Sequence, residues 1–467
     1  MMSSNHIAIP TIVVAGATSG VGKSSVAMAV MHSLKKKSYK VQPFKVGPDF
    51  IDPSYHTFVT GRQSRNLDIW MMRKRGVLNC FYESCHDADV AVVEGVMGYF
   101  DGISGRHDYG STAHIAKILD AKVILVIDAA KAARSLAAIA MGFIKFSKTL
   151  KIHGIILNKV GSSKHEAILR QAFADKVNVP IIGMIRRNSE ITMPERKLGL
   201  TPAVELDKSK KNEILLAARY IAEQIDLEKI MDLMHKPRHS ELGPPAVLRK
   251  KDGPNVAVAL DQSFNFYYAD NLDALRKEGI NLIFFSPIQD VCLPPDISGI
   301  ILGGGFPEIL ANQLSKNQSM KSSVLEAAQT GTPVYAECGG LMYLSRSIVE
   351  EGREKINRGY PKSRMVGLID VDTIMTGRLT LGYTMAECES PPFKKMLNLR
   401  GHEFHYSKIE NVQCDAKFAY KMLRGNGVDG QRDGFRVYDC LASYMHLHFS
   451  DTRLSQRLAK AFRKFRK

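Results

Sequence analysis

The chain has 467 residues, of which 45% are hydrophobic and 24% are charged, a composition typical of a soluble globular protein. Because one hydrophobic core rarely serves more than about 300 residues, we expect two domains of roughly 200 residues each. Seven scattered cysteines indicate a reducing compartment and argue against a disulfide framework. No apolar run approaches the roughly 20 residues that span a bilayer, and the N-terminus lacks a signal-peptide pattern. We therefore expect a cytoplasmic protein with no membrane partner.

The formal net charge is +17. Nucleic-acid binding would account for this excess, but the basic residues are spread along the chain and form only short clusters. We interpret them as solvated surface and expect no nucleic-acid partner. A positive field would also favour the binding of a polyanionic small substrate.

Near the N-terminus, an apolar run is followed by a glycine-rich loop and a helix-periodic stretch, which predicts a strand, a loop and a helix. The glycines let backbone amides turn toward phosphate oxygens, Lys23 would reach the outer phosphates, and the Ser24 hydroxyl would ligate Mg²⁺. Ala17 holds the usual first-glycine place and Gly16 lies one residue earlier. This longer spacing resembles the dethiobiotin synthetase-like branch of P-loop enzymes. The predicted ATP-binding residues of the loop are Gly20, Gly22, Lys23, Ser24 and Ser25.

Acidic residues follow the next two strand patterns. In KVGPDFIDP at 45–53, Asp49 and Asp52 lie in a proline-stiffened loop close to Lys45, which joins the ATP-binding set. A second apolar strand ends in Glu94, and Asp101 lies further into the loop that follows. Such carboxylates often only cap helices, but beside a P-loop they predict a magnesium and phosphoryl-transfer site. The predicted metal ligands are Ser24, Asp49 and Glu94, and the predicted phosphoryl-site carboxylates are Asp49, Asp52 and Asp101.

Two further apolar runs, at 121–130 and 153–161, complete a predicted parallel sheet with intervening helices. Asn158 and Lys159 follow the second run and would meet the nucleobase. GTP-binding proteins read guanine with an aspartate two residues after the lysine, and Gly161 occupies that place here. Because the guanine donors would then lack a partner, we expect adenine to bind near Asn158.

A break in composition separates the two halves of the chain. After residue 225 the sequence becomes rich in proline and charge and loses periodicity, which is typical of a linker. Four strand patterns with helical intervals then predict a second open α/β unit. The predicted domains are a P-loop synthetase domain at 1–225, a linker at 226–253 and a second domain at 254–467.

Within the second domain, TPVYAECGGLMYLS at 332–345 places Cys338 on a sharp strand-to-helix turn. Such a turn is typical of a nucleophile, because a helix N-terminus favours a thiolate and the Gly339 amide can face a developing oxyanion. A buried free cysteine at a strand end is the alternative. Another strand pattern ends in GGGFPE, where Gly304 would complete the oxyanion hole.

A histidine late in the chain would serve as the general base. His446 and His448 alternate in SYMHLHF, so they point to opposite faces of a strand and only one can face the thiol. We choose His446. His402 and His405 also alternate, but two imidazoles without a nearby cysteine do not favour a metal site.

These stretches resemble the class I glutamine amidotransferase domain. In most such glutaminases a glutamate two residues after the histidine orients the imidazole, and here that place holds His448. Nearly the whole chain resembles the cobyrinate a,c-diamide synthase family, through KVGPDFIDP, VVEGVMGYFDG, DQSFNFYYADNL, GGGFPE, YAECGGLMYL and GHEFHYS. The synthetase branch is similar in lacking the glutamate, so we expect a dyad of Cys338 and His446 without a carboxylate.

This resemblance implies amidation of the a and c acetate groups of cobyrinate through an acyl phosphate. It implies ATP and Mg²⁺ as cofactors and L-glutamine as nitrogen donor, with the four acidic residues above serving magnesium, ATP and the carboxylate under attack. Phe50 stands where the motif more often has tyrosine, and with Ile51 it lies where substrate choice would be tuned. The tetrapyrrole therefore stays open between cobyrinate and nickel sirohydrochlorin.

Ammonia would have to pass between two active sites by a protected route, because ammonium is unreactive as a nucleophile near neutral pH. A ParA-like regulatory P-loop ATPase with a degenerate second domain is an alternative of another class. The basic charge fits that alternative, but Ala17 stands where a signature lysine would follow Gly16, and Cys338 would have no purpose. A homodimer is compatible with the sequence.

Overall fold

A computed structural model describes residues 9–188, 195–196, 199–200, 203, 206–234, 253–350 and 361–465. The chain forms two compact units, residues 1–246 and 247–467. Most of the predicted linker, residues 235–252, lies outside the described residues. Its first part differs from the prediction, because Leu227–Leu233 form a helix that Asp226 caps through the Lys229 amide and that buries Ile230. Side-chain capping and apolar burial thus extend the first unit beyond residue 225.

The first unit is built on seven parallel strands. They are β1 Thr11–Gly16, β2 Val41–Val46, β3 Arg65–Leu67, β4 Val90–Glu94, β5 Lys122–Asp128, β6 Gly154–Val160 and β7 Ile181–Arg186. Their order in the sheet is β3-β2-β4-β1-β5-β6-β7. Every residue of β1, β2 and β4 is buried, as expected of strands covered on both faces. The predicted parallel P-loop sheet is confirmed.

Eight helices and a short hairpin complete the described part of this unit. The helices are α1 Lys23–Lys36, α2 Ile51–Thr60, α3 Ile69–Ser84, α4 Thr112–Leu119, α5 Ser135–Phe146, α6 Ser163–Ala174, α7 Lys208–Ala222 and α8 Leu227–Leu233. Helix α3 is kinked at Arg73, which has a φ of 56°. The hairpin strands are β8 Glu195–Arg196 and β9 Gly199–Leu200. Because β1 and β4 are neighbours, the P-loop after β1 and Glu94 at the end of β4 lie at the same sheet edge.

The second unit contains a sheet of twelve strands. They are β10 Asn255–Ala259, β11 Asn281–Phe285, β12 Ile297–Leu302, β13 Val334–Glu337, β14 Ser345–Glu350, β15 Lys362–Arg364, β16 Ile369–Cys388, β17 Met396–Glu410, β18 Phe418–Arg424, β19 Arg432–Val437, β20 Cys440–Ser443 and β21 His446–Leu447. The helices are α9 Ala269–Lys277, α10 Ala311–Lys316, α11 Gln318–Gln329, α12 Gly339–Leu344 and α13 Thr452–Lys464.

A parallel core, in the order β11-β10-β12-β13-β20, carries the predicted open α/β pattern. The remaining strands add a long antiparallel ribbon of β16 and β17, which the four predicted strands did not include. Strand β21 pairs with β17 so that His446 lies opposite His402. The ribbon thereby brings residues that are distant in sequence to the edge where β13 ends. Within the described residues of both units, no helix is long and apolar enough to cross a membrane.

Candidate active sites

The P-loop of the first unit has the backbone that phosphate binding requires. Gly20 and Gly22 have φ values of 76° and 92°, in the left-handed region where glycine is favoured. Lys23 begins α1, and its side chain folds back over Gly16, where an added Cβ would lie 2.7 Å from Lys23 Cδ. Burial and the charge of Lys45 lower the pKa of Lys23. The predicted nucleotide-binding glycines and Lys23 therefore belong to one loop at a helix N-terminus.

Lys45 lies at the centre of a buried ionic cluster beside this loop. It pairs with Glu94 across neighbouring strands β2 and β4, and its Nζ lies 2.6 Å from Glu94 Oε1 and 2.5 Å from Asp52 Oδ2. Asp49 Oδ2 is farther away, at 3.7 Å. Burial acts to lower the pKa of Lys45, but the Asp52 and Glu94 carboxylates outweigh it and raise the pKa. Lys45 is therefore a permanent cation within the cluster.

The two buried carboxylates differ in their electrostatics. Burial, followed by repulsion from Glu94, raises the pKa of Asp52. Burial opposes ionisation of Glu94 as well, but Lys45 and the hydrogen bond from His56 lower its pKa. Glu94 is thus the firmly ionised member of the pair.

Ser24 joins these carboxylates at the start of α1. Its Oγ lies 2.7 Å from Glu94 Oε1 and 3.4 Å from Asp52 Oδ2. A hydroxyl and two carboxylates are the hard oxygen ligands that Mg²⁺ prefers, so these residues fit the metal. The prediction named Asp49 as a ligand and Asp52 as a phosphoryl-site carboxylate. Asp49 Oδ1 accepts hydrogen bonds from the amides of Ile51 and Asp52 at the start of α2. In the described part of the chain, no three acidic, histidine or cysteine side chains form a ready-made metal cluster.

His56 is a member of this site that the sequence analysis did not identify. Its Nε2 lies 2.6 Å from Glu94 Oε2, its Nδ1 lies 3.3 Å from Ser64 Oγ, and its side chain is fully buried. The signal was present in the sequence, because His56 follows Asp52 by four residues and so lies on the same face of α2. His56 contacts Oε2 of Glu94, whereas Lys45 and Ser24 contact Oε1.

Asp101 has a structural partner in the loop after β4. Its Oδ2 accepts a hydrogen bond from the Gly98 amide at 2.9 Å, and its charge raises the pKa of Lys23 in part opposition to burial. The same loop touches the P-loop, because the Tyr99 amide donates to Gly16 O at 2.8 Å. Phe50 and Ile51 are half-buried at the start of α2.

Asn158 supports the P-loop from β6. Its Nδ2 donates to Val21 O at 2.8 Å, and the neighbouring Lys159 Nζ contacts Asp128 Oδ2 at 2.7 Å and Gly20 O at 3.3 Å. Asn158 therefore lies at the nucleotide-binding edge, with one of its donors engaged by the loop itself. Ser25 lies within the first turn of α1 and is half-buried.

In the second unit, Cys338 occupies a strained turn between β13 and α12. Its φ of 46° and ψ of −95° are unusual for a residue with a side chain. Its amide donates to Ser443 O at 2.7 Å, and its thiol donates to Phe404 O at 3.4 Å. A backbone held in such a conformation is typical of a functional site, which favours the nucleophile interpretation.

The protonation state of Cys338 differs from the prediction. Burial raises the pKa of the thiol well above its usual range, and the charges of Glu308 and Glu337 add to this effect. The Gly339 amide opposes the rise through a hydrogen bond but does not reverse it. Because the side chain is only 3% exposed and α12 has only six residues, desolvation outweighs the helix N-terminus. Burial therefore favours the thiol of Cys338 over the thiolate that the helix N-terminus was expected to favour.

The glycine loop after β12 lies between the cysteine turn and His446. A Cβ on Gly304 would lie 2.5 Å from His446 Cε1, and a Cβ on Gly339 would lie 3.1 Å from the amide nitrogen of Gly305. Gly305 has a φ of 152°, and a side chain there would meet Ser263 O at 2.0 Å. Only glycine allows this approach. The glycine loop that contains Gly304 thus packs against the turn that contains Cys338 and Gly339.

His446 is fully buried on β21, among polar groups from two other strands. Its ring stacks on His402 of β17, with centroids 4.7 Å apart and planes at 6°. His402 Nε2 is hydrogen-bonded to the Tyr268 hydroxyl at 2.7 Å, and burial, followed by the charge of His446, lowers the pKa of His402. Glu337 Oε2 lies 3.6 Å from His446 Nδ1. Glu337 immediately precedes Cys338, and no role was predicted for it from the sequence.

His448 lies in a different environment. Its Nδ1 accepts a hydrogen bond from the Ser450 amide at 3.1 Å, its Nε2 lies 3.8 Å from Asp270 Oδ2, and its ring packs against Tyr268. These contacts give His448 a structural setting outside the thiol turn. His405 likewise lies apart from His402, because its ring stacks on Tyr444 with centroids 3.7 Å apart.

Comparison with known proteins agrees with this division of the chain. The model of a CobQ/CobB/MinD/ParA nucleotide binding domain matches residues 12–200. The model of a CobB/CobQ-like glutamine amidotransferase domain matches residues 255–454. Each match covers one of the two sets of side chains described above.

Proteins named cobyrinate a,c-diamide synthase are similar over almost the full length. The one from Caldanaerobacter subterraneus subsp. tengcongensis is 42% identical over 93% of this chain and 94% of its own. The one from Methanosarcina acetivorans is 38% identical over 98% of this chain and 96% of its own. The one from a Synechococcus strain is 42% identical over 94% and 95%.

A nucleotide-binding domain and a glutamine amidotransferase domain in one chain, with relatives named as synthases, make this protein an ATP-dependent, glutamine-using ligase that forms carbon–nitrogen bonds. The predicted family is thereby confirmed. The chain belongs to the cobyrinate a,c-diamide synthase family.

Proposed function

We propose that this enzyme converts cobyrinate to cobyrinate a,c-diamide in the cytoplasm, as a step of cobalamin biosynthesis. The observation that carries the proposal is the presence in one chain of two chemically complementary sites. The first set is Lys45, Asp52 and Glu94 beside a P-loop. The second set is the Cys338 turn and His446, which approach the same glycine loop. The names of the relatives supply the substrate.

In the second unit, Cys338 Sγ attacks the carboxamide carbon of L-glutamine while His446 takes the thiol proton. The amides of Gly339 and Gly304 stabilise the oxyanion that forms on the carboxamide oxygen. When the C–N bond breaks, His446 returns the proton to the leaving nitrogen, which departs as ammonia. Water then hydrolyses the thioester, which gives glutamate and regenerates the thiol.

In the first unit, an acetate carboxylate of cobyrinate attacks the γ-phosphorus of ATP, which gives an acyl phosphate and ADP. Lys23 and Lys45 stabilise the negative charge that moves during this transfer. Ser24, Asp52 and Glu94 would hold Mg²⁺, which neutralises phosphate charge when bound. Ammonia then attacks the acyl carbon, the C–O bond breaks, and phosphate leaves with the amide formed. The cycle repeats on the second acetate.

Substrate choice is assigned to the start of α2. Phe50 and Ile51 lie between Asp49, which caps the helix, and Asp52, which faces Lys45. A macrocycle whose acetate reaches the P-loop would meet these two apolar side chains and Asp101. ATP is the expected nucleotide, with adenine near Asn158.

The product assay that tests the proposal compares cobyrinate with nickel sirohydrochlorin, each supplied with ATP, Mg²⁺ and glutamine. Mass spectrometry should detect two successive decreases in product mass of about 1 Da, one for each carboxylate converted to an amide. Cobyrinate should be the preferred substrate. If the enzyme prefers nickel sirohydrochlorin, that compound and not cobyrinate is its substrate. ATP hydrolysis without formation of either amide would favour the ParA-like alternative.

Isotope competition tests the protected ammonia route. With ¹⁵N-amide glutamine and excess unlabelled ammonium, the product should retain ¹⁵N if ammonia does not equilibrate with solvent. Dilution of the label to the solvent ratio would contradict a protected route while leaving the chemistry of both sites intact.

A further inference from the structure

Glu337 is a buried carboxylate that the chemistry above does not use. One of its oxygens is held from two sides: Oε1 accepts hydrogen bonds from the Tyr335 hydroxyl at 2.5 Å and from the Leu447 amide at 3.0 Å. The other oxygen, Oε2, lies 3.6 Å from His446 Nδ1. Both anchors belong to strands next to the site, β13 itself and β21. The carboxylate is therefore fixed with one oxygen toward the imidazole.

We propose that Glu337 is the positioning residue of the glutaminase site, where it orients His446 and balances the imidazolium that forms during catalysis. The inference rests on the proposed glutaminase role of Cys338 and His446. It revises the dyad expected from the sequence, because the carboxylate comes from the residue before the nucleophile. The place two residues after the histidine holds His448, which faces Asp270 and the Ser450 amide.

The geometry supports this role in two ways. The Nδ1–Oε2 separation of 3.6 Å is only slightly longer than a hydrogen bond, and catalytic hydrogen bonds often shorten when substrate binds. A small rotation of the imidazole would let Nδ1–H donate to Glu337 and leave Nε2 to exchange the proton of Cys338. Glu337 neither gains nor loses a proton in this scheme; it stabilises the cation electrostatically.

The two imidazoles near His446, those of His402 and His405, do not supply a counter-charge. Burial, followed by the charge of His446, lowers the pKa of His402, which stacks on the ring. Burial also lowers the pKa of His405 to about 4. Both imidazoles are therefore neutral near pH 7, and the thiol of Cys338 is protonated until it gives its proton to His446. Glu337 is the group in this set that can balance a positive imidazole.

The test is Glu337→Gln in the full-length enzyme, assayed with ATP, Mg²⁺ and cobyrinate. Glutamine keeps an oxygen for Tyr335 and Leu447 but removes the charge facing His446. The kcat for glutamine hydrolysis should fall by about 100-fold or more, as for other histidine-orienting carboxylates, while the glutamine KM changes little. Amidation from free ammonia should persist. The acid limb of the pH profile for kcat/KM should move to lower pH, because the imidazolium has lost its counter-charge.

Asp270→Asn is the matched control, because it removes the carboxylate that faces His448 at a similar distance. It should leave glutamine hydrolysis and its pH profile unchanged. If Glu337→Gln also loses ammonia-dependent amidation, Glu337→Asp decides the matter, since it keeps the charge but withdraws it by one methylene. A tenfold or greater loss of kcat with ammonia-dependent amidation intact then supports the proposal.

The positioning role would be overturned if Glu337→Gln, or Glu337→Asp where that variant is needed, hydrolysed glutamine with the wild-type kcat. It would also be overturned if the acid limb of the pH profile did not move in Glu337→Gln. Those results would leave the proposed function standing, provided that Cys338→Ser abolishes glutamine use. If wild-type enzyme and Cys338→Ser use glutamine equally, the glutaminase assignment itself fails, and the two failures are thus distinguishable.

Discussion

Replacing Lys45 by methionine tests the electrostatic design of the P-loop unit. The Nζ of Lys45 lies 2.5 Å from Asp52 and 2.6 Å from Glu94, and all three side chains are almost entirely buried. Removing one partner of a buried ionic group costs about 3–5 kcal/mol, because the remaining charge is left uncompensated. Glu94 keeps His56 and Ser24, and Asp52 can take up a proton, so we expect the lower end of this range.

The stability that Lys45→Met loses should depend on pH in a definite direction. Burial and Glu94 already raise the pKa of Asp52 above its unfolded value while Lys45 opposes them, so loss of Lys45 in Lys45→Met raises this pKa further. The folded state then binds more protons than the unfolded state, and stability falls as pH rises through the interval between those two pKa values. The deficit relative to wild type should be larger at about pH 8 than at about pH 5. Adding Asp52→Asn should recover part of it.

Urea unfolding followed by tryptophan fluorescence measures the effect. The chain has one tryptophan, Trp70, which is 9% exposed in α3 of the P-loop unit, so its signal reports that unit. Lys37→Met is the matched control, because Lys37 pairs with Glu228 at an exposed surface and its loss should have no measurable effect. A loss below about 1 kcal/mol in Lys45→Met, or no pH dependence of the deficit, would refute the reasoning.

Three further variants separate the two chemistries. Cys338→Ser should abolish amidation from glutamine but retain amidation from ammonia, as product mass spectrometry would record. Gly304→Ala should lower glutaminase kcat by about 100-fold, because its Cβ would lie 2.5 Å from His446 Cε1 and displace the base. His56→Gln should lower the rate of acyl phosphate formation, measured as cobyrinate-dependent ADP release, by about 10-fold or more, because Glu94 loses its 2.6 Å partner.

Each of these variants has a matched control. Cys292→Ser changes an exposed cysteine, Gly382→Ala adds a methyl group with nothing within 4 Å, and His32→Gln changes a histidine of α1 outside the ionic cluster. All three should behave as wild type. Retained glutamine use in Cys338→Ser, full glutaminase activity in Gly304→Ala, or normal ADP release in His56→Gln would each contradict the corresponding assignment.

The parallel sheet of the P-loop unit could be predicted because its determinants are local. Continuous apolar runs end in glycines or acids, and parallel strands bring those ends to one edge. The proximity of Lys45 and Glu94 then follows from strand pairing. The partner of each carboxylate could not be derived from the sequence, because Asp49 and Asp52 lie three residues apart near Lys45. In the structure Asp49 accepts hydrogen bonds from backbone amides at the start of α2.

The glutaminase unit was harder to predict because its site depends on long-range pairing. The turn at Cys338 is determined by neighbouring residues in the sequence. By contrast, the ribbon that places His402 beside His446 joins strands that are far apart in sequence. The protonation of Cys338 depends on burial, which periodicity does not reveal for a single thiol. Glu337 was also overlooked, because its nearness to His446 depends on the long-range placement of β21, which pairs with β17.

The raised pKa of Cys338 bears on how well the enzyme resists oxidation. A thiol that keeps its proton reacts slowly with peroxide and with adventitious electrophiles, so this sulfur is protected from oxidative inactivation between turnovers. Burial of a single sulfur atom thus limits oxidative damage at this site.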